Sequence, residues 1–234
     1  MSKLAVHENK IYSLGDNAVY TIPDKIGATL WLRADAGIEA DVDNRVAEWQ
    51  DQSGNDFHAI QSIQANKPLW VDDELNGKPA LRFDGGQEML CDFGEVYTQP
   101  NTLFVVFSYD GGTSTEVLLD GINLSYRNMM YFSSGDLAAF AGVALTYPKT
   151  PPFPMILSTV EFKGSTSVIY ENQIQKALGN TSTSGTQGFT IGNHASLSRY
   201  MNGNVCEIIF YNSLLPDPQR QSVENYLITK YALL

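Results

Sequence analysis

Cysteine is scarce in these 234 residues, with Cys91 and Cys206 alone. Two thiols in a chain of this length do not make a disulfide framework. Cys206 sits where a small interior apolar residue would serve, so both are read as buried free thiols, with a single bridge between them as the alternative. Histidine is limited to His7, His58 and His194, and neither Cys-x-x-Cys nor His-Glu-x-x-His occurs. A zinc site therefore has no ligand pattern to rest on. Basic residues are outnumbered, 15 Lys and Arg against 26 Asp and Glu, for a formal charge of −11. Phosphate binding is carried by clustered Lys and Arg, so neither nucleic acid nor an anionic membrane surface is an expected partner. No apolar run approaches the ~20 residues that span a bilayer. The opening Met-Ser-Lys-Leu-Ala-Val-His-Glu is not a secretory signal, because few apolar residues separate Lys3 from His7 and Glu8.

What the chain does have is short apolar runs cut by turn formers. Its hydrophobic content of 43% can bury a sizeable core, and one domain is the default at this length. Thr29 to Ala34 alternates, with Trp31 opposite Leu30 and Leu32. Thr102 to Tyr109 and the end of Gly203 to Tyr211 are apolar on both faces, the mark of central strands. Further strands are expected at Pro68 to Val71, Pro79 to Phe83, Glu116 to Leu119, Asn128 to Phe132, Leu137 to Ala141, Met155 to Phe162, Ser167 to Tyr170 and Gly188 to Ile191. Asn76-Gly77 separates two of these, and Asn202-Gly203 predicts a tight turn into the last one. Gly37 to Asn44 reads as an acidic loop, and Pro148 to Pro154 as a proline-rich connection. From Asp217 as N-cap and Pro218 at the first helical position, Val223, Tyr226, Leu227, Lys230, Tyr231 and Leu234 recur with helical period. Lys230 interrupts this stripe, and its head is expected to reach water. Residues 1 to 28 lack strong periodicity and read either as a strand on the sandwich edge or as an arm that docks elsewhere.

Several blocks in order carry a family resemblance. They are Leu30 to Gly37, Trp49 to Asn55, Asn76 to Gly85, Gly188 to Asn193, and Gly203 to Asn212 with the helix Arg220 to Leu227. Together they resemble the concanavalin A-like lectin/glucanase superfamily, closest to the laminin-G-like jelly-roll domains of bacterial surface proteins and phage structural proteins. The resemblance implies an all-β, two-sheet antiparallel jelly-roll sandwich with one short C-terminal helix over residues 29 to 234, preceded by an N-terminal arm, residues 1 to 28. One departure is that the usual Asn-Gly hairpin appears as Asn172-Gln173.

Three groups of residues come into question for chemistry. Glu39, Asp41 and Asp43 resemble the Glu-x-Asp-x-Glu signature of the superfamily's glucanases but end in Asp and fall in the expected loop, so no catalytic residue is assigned. Asp51, Asn55, Asp56 and Asp84 offer oxygens to calcium, yet such residues also populate turns by bonding their own backbone. The turn reading is preferred, and no metal or cofactor is expected. Carbohydrate binding needs aromatic platforms beside polar groups; Tyr126, Tyr131 and Tyr147 are the candidates, with Trp70 a further platform and Arg127, Asn128 and Asp136 nearby, while Trp31 and Trp49 are expected to fill the core.

The expected function is a non-enzymatic virion structural protein of a bacteriophage, a capsid-surface decoration or fibre/tail module. Relatives of this fold that bind glycans work mostly outside the cell, and a cytoplasmic protein without an export segment can leave as part of a virion. Its expected partners are other virion proteins, through the N-terminal arm, and cell-surface glycans, with self-association into a homo-oligomer left open. The alternatives are a carbohydrate-binding module of a secreted protein and a glycan hydrolase.

Overall fold

The computed structural model describes residues 12–14, 18–20, 23–112, 115–196 and 198–233. The strands in chain order are β1 (Tyr12–Leu14), β2 (Ala18–Tyr20), β3 (Leu30–Arg33), β4 (Ile38–Ala40), β5 (Val46–Trp49), β6 (Ala59–Ile60), β7 (Leu69–Leu75), β8 (Lys78–Asp84), β9 (Met89–Tyr97) and β10 (Asn101–Tyr109). They continue as β11 (Glu116–Asp120), β12 (Met129–Ser133), β13 (Asp136–Phe140), β14 (Ala144–Pro148), β15 (Phe153–Phe162), β16 (Ser167–Glu171), β17 (Ile174–Gly179), β18 (Thr186–Ile191) and β19 (Asn202–Tyr211). Two helices, α1 (Pro23–Ile26) and α2 (Asp217–Tyr231), complete the α and β elements.

The two runs apolar on both faces lie side by side: β10 pairs with β19 at the centre of an eight-stranded sheet ordered β17-β16-β15-β10-β19-β8-β7, with β3 also on β19. A nine-stranded sheet ordered β14-β13-β12-β11-β18-β9-β6-β5-β4 stacks against it. This is the expected two-sheet antiparallel sandwich with its C-terminal helix. The strands' period of two sends Leu30, Leu32, Leu103, Phe107 and Phe210 inward from one sheet and Trp49, Phe93, Leu137, Phe189 and Ile191 from the other. Both cysteines are free and buried.

The eight-stranded sheet has a second apolar face. Trp31, Phe104, Val106, Leu157, Ile209 and Tyr211 point outward and are covered by Val223, Tyr226, Leu227 and Tyr231 of α2. Each such side chain contributes about 1.5–3 kcal/mol when removed from water, which makes the helix a structural lid. Ala28 joins this cluster, and the Pro23 carbonyl accepts from the Tyr211 hydroxyl at 3.2 Å. The rest of the arm expectation, residues 1–11, 15–17 and 21–22, lies outside the described residues, as does Leu234.

The structure departs from the sequence reading at several points. Lys230 does not reach water: its Nζ donates to Glu207 Oε2 at 2.6 Å and Asp35 Oδ1 at 3.1 Å beneath the helix. Glu207 is itself buried and also accepts from Trp31 Nε1 and Tyr231 Oη, and Arg33 pairs with Asp35, so burying the ammonium completes a charge-balanced network. Asn202 and Gly203 are not a turn but the first residues of β19, paired with Asp84 and Phe83. Because β18 and β19 belong to different sheets, no tight hairpin joins them, and the chain passes from one sheet to the other between Ile191 and Asn202. The helix starts at Asp217 itself, with Pro216 at the cap position and no side-chain cap. The expected acidic loop contains β4, and β5, β6, β9, β14 and β17 are strands absent from the expected set. Asn172 and Gln173 do form the hairpin turn, with φ of 46° and 71°.

Candidate functional site

Among the described residues, no helix covers the outer face of the nine-stranded sheet, which is exposed at Ile60 and Leu90 and buried at Val117, Asp120, Ala138 and Thr190. Residues opposite one another across antiparallel strands share a face. One row across this sheet therefore runs Glu39, Glu48, Ile60, Leu90, Thr190, Asp120. A second runs Ala138, Tyr131, Val117, and the Val117 N–H donates onward to the Arg199 carbonyl at 3.0 Å.

The rows meet at a charged centre. Asp120 ends β11 fully buried, which is costly for a carboxylate unless every lone pair is engaged. Its Oδ1 accepts from Arg127 Nε and Gly121 N, both at 2.8 Å, and its Oδ2 from Arg127 Nη2 at 2.8 Å and Ala195 N at 3.0 Å. The fork of Arg127 is returned to Asp120 by a tight turn. A Cβ at Gly121 would collide with the Tyr126 carbonyl oxygen, so that position admits only glycine. Arg127 Nη2 also stands 2.8 Å from His194 Nε2 and 3.0 Å from Met129 Sδ, and its guanidinium lies 5.2 Å over the Phe140 ring. His194 Nδ1 accepts from Ser196 N. Burial pushes the imidazole below its ordinary value, with Arg127 and Arg199 acting the same way against Asp120, so the ring is neutral at pH 7. The result is a guanidinium held on all sides beside half-buried Phe140 and Tyr131.

The three tyrosine candidates part company here. Tyr126 is 41% exposed on the loop before Arg127, where the Asn123 side chain caps Ser125 and Tyr126. Tyr131 lies on the open face of β12, half-buried. Tyr147 is not a platform: paired with Leu137, it points into the core, and its hydroxyl donates to Glu171 Oε2 at 2.7 Å. Its proximity in sequence to a proline-rich segment suggests exposure, but strand alternation with Leu145 decides its direction. Trp70 is also committed, donating from Nε1 to the Ala34 carbonyl.

Asp120, His194 and Arg199 carry no signal in the sequence that marks them as a site, and Arg127 stands out there only as a neighbour of Tyr126. Nothing local marks Asp120 as buried, since its partners come from positions 127 and 195.

The acidic triplet does not converge. Asp41 Oδ1 accepts from the N–H groups of Asp43 and Arg45 and serves its own turn. Glu39, by contrast, lies on a strand rather than a loop and faces Glu48 across the β4–β5 pair. Asp51 accepts from Trp31 N, Ser53 N, Ser53 Oγ and Phe57 N, while Asn55 Nδ2 donates to the Ala28 and Thr29 carbonyls. These residues tie their turn to the start of β3. Among the described residues no group of three or more His, Cys, Asp or Glu converges on a metal position.

No family model matches the chain, and no curated protein matches its sequence. Solved structures do match its fold. Trypanosoma rangeli sialidase, in complex with the inhibitor DANA, aligns with TM-score 0.59 and 14% identity over 91% of this chain, which spans 37% of the sialidase. Domain 4 of AbnA, a GH43 extracellular arabinanase from Geobacillus stearothermophilus in complex with arabinotriose, aligns with TM-score 0.61 and 14% identity, covering 84% of this chain and 98% of that domain. The binding domain of Paraclostridial Mosquitocidal Protein 1 aligns with TM-score 0.62 and 10% identity, covering 88% and 53%. At these identities the shared property is the fold, a two-sheet sandwich, and a concanavalin A-like membership does not follow. The non-enzymatic expectation is corrected by the same comparison, since the sialidase and the arabinanase are glycoside hydrolases whose structures carry this sandwich.

Proposed function

We propose that this sandwich binds glycans on the outer face of its nine-stranded sheet. The observation that carries the reading is the contrast at Arg127: a guanidinium locked by a buried carboxylate, yet still part-exposed beside the half-buried rings of Tyr131 and Phe140. Fixed polar groups next to ring surfaces are what a sugar needs, because its hydroxyls ask for oriented donors and its C–H faces for apolar area. Neighbours whose structures hold arabinotriose or a sialidase inhibitor support the reading at the level of fold. A glycan array probed with the intact chain tests it. Retention of defined glycans, weakened about three- to tenfold by Tyr131→Ala, is expected from the size of aromatic contributions; no retention overturns the reading. On the resemblance to phage structural domains we further propose a virion as the carrier, which detection of the protein in purified particles tests.

A hydrolytic reading has one observation of its own. Glu39 and Glu48 face each other on the same open face, and His58 Nε2 stands 3.9 Å from Glu48 Oε1. Reducing-end release from an oligosaccharide, abolished in Glu48→Gln, would carry it; release unchanged in that variant would end it.

A further inference from the structure

We infer, on the premise that the open face binds glycans, that it selects carboxylate-bearing sugars, gripped by Arg199 beside Tyr131. The two arginines of this face differ in what they are free to do. Arg127 is spent on Asp120 through both arms of its fork. Arg199 is exposed, and its side chain makes no hydrogen bond or ion pair with any described residue. Its main chain is nevertheless fixed: the carbonyl accepts from Val117 N at 3.0 Å, and the N–H donates to Asn193 Oδ1 at 2.9 Å. Asn193 is anchored in turn, its Nδ2 donating to Glu88 Oε2 at 2.7 Å. The face thus holds a guanidinium unpaired among the described residues, on a backbone that is tied at both its N–H and its carbonyl.

Position supplies the second part. The Arg199 carbonyl accepts from Val117 N, and Val117 is opposite Tyr131, so the Arg199 main chain and Tyr131 flank one residue of β11. Val117 itself is fully buried on this outward side, outside the core between the sheets. Burial raises the Tyr131 hydroxyl above its ordinary value, and Arg127 and Arg199 are both close enough to act against that shift, while Asp136 adds to it. In a chain of net charge −11 an anionic ligand is repelled overall, so its capture requires a local cation not already neutralised. A planar guanidinium offers a carboxylate two parallel donors, and the neighbouring ring offers apolar area to the pyranose that bears it. His194, neutral beside Arg127, adds no competing charge.

The test is an array carrying neutral, uronate-bearing, sialylated and sulfated glycans, probed with the intact chain and with Arg199→Ala and Arg199→Lys. Arg199 is exposed, so both variants are expected to keep the wild-type circular dichroism spectrum. Carboxylate-bearing glycans are expected to be retained and to lose about tenfold or more in affinity in Arg199→Ala, the scale of a hydrogen bond to a charged group. Arg199→Lys is expected to restore only part, because it keeps the charge without the fork. Retention of neutral glycans alone, preference for sulfated over carboxylated ones, or equal binding by Arg199→Ala overturns this inference while leaving the binding reading in place. Retention of nothing overturns both.

Discussion

The two outer faces of the sandwich use the same chemistry to opposite ends. Beneath α2, Lys230 joins Glu207 and Asp35, and Arg220 joins Glu224 at 2.7 Å and Glu161 at 3.4 Å; all are closed in by the apolar face of the helix. On the nine-stranded sheet, Arg127 joins Asp120 beneath no helix, packed instead by its own loop, Phe140, His194 and Ala195. In the first case the charges fix a lid; in the second they fix a guanidinium beside exposed groups. A buried ion pair is therefore not evidence of a site by itself. What distinguishes the second is the exposed Arg199, unpaired among the described residues, and the Tyr131 and Phe140 rings near Arg127.

The comparison breaks first at the lid. Lys230→Met leaves Glu207 with two neutral donors and no cation, which should cost about 3–5 kcal/mol, the usual cost of breaking a buried pair. Urea unfolding checks it, and a loss below about 1 kcal/mol would mean that the helix does not depend on the pair. Leu227→Ala should cost about 2–4 kcal/mol by cavity formation, while leaving glycan retention unchanged, because it acts on the covered face alone. Altered glycan specificity in that variant would couple the two faces.

Acid separates them by pH. The Arg33 side chain and the Lys230 ammonium outweigh burial and hold the Asp35 carboxyl at about 2. A depressed carboxylate contributes stability that is complete above the unfolded value near ~3.9 and fades as pH falls through about 2. His194 is also depressed, chiefly by burial. Below ~6.5 the unfolded chain takes up that proton first, so stability on the open face starts to fall at higher pH. Stability measured from pH 7 to pH 4 should lose its upper slope in His194→Asn and keep it in Asp35→Asn. The smallest expected effect is at the edge of the lid: Gln173→Gly should stabilise by less than about 0.5 kcal/mol, since glycine adopts φ of 71° without strain but the exposed bond from Gln173 Nε2 to Asn225 Oδ1 of α2 is lost. Thermal unfolding of that variant checks the sign.

Much of the fold is readable in the sequence because strand alternation is local. Leu103 to Phe107, Phe189 and Ile191, and Ile208 to Phe210 declare their faces by spacing, and all are buried as their pattern requires. β17 escapes such a reading because an edge strand exposes most of its residues, here Ile174 and Leu178 at 61% each, and so lacks an apolar period. Met89, Cys91 and Phe93 do alternate with Leu90 and Asp92, so β9 carries a signal that the sequence reading passes over. The candidate site is legible only in part. Tyr131 lies on the strand face its spacing implies, but Asp120, Arg127 and His194 meet through folding over spans of up to 74 residues, from position 120 to 194, and no local pattern encodes that. Lys230 shows the same limit, since its partners Asp35 and Glu207 come from two other strands' neighbourhoods.

The crossing segment between β18 and β19 is tied off at its base, where Met201 N donates to the Gly192 carbonyl at 2.8 Å. A loop whose ends are already held pays little for length, about 0.6 kcal/mol for each doubling. Foreign sequence grafted after Ser196 would leave both sheets in register and carry its side chains to the rim of the open face. This crossover is thus the natural place to retarget the molecule, with the sandwich as an unchanged chassis and the grafted segment as the interchangeable part.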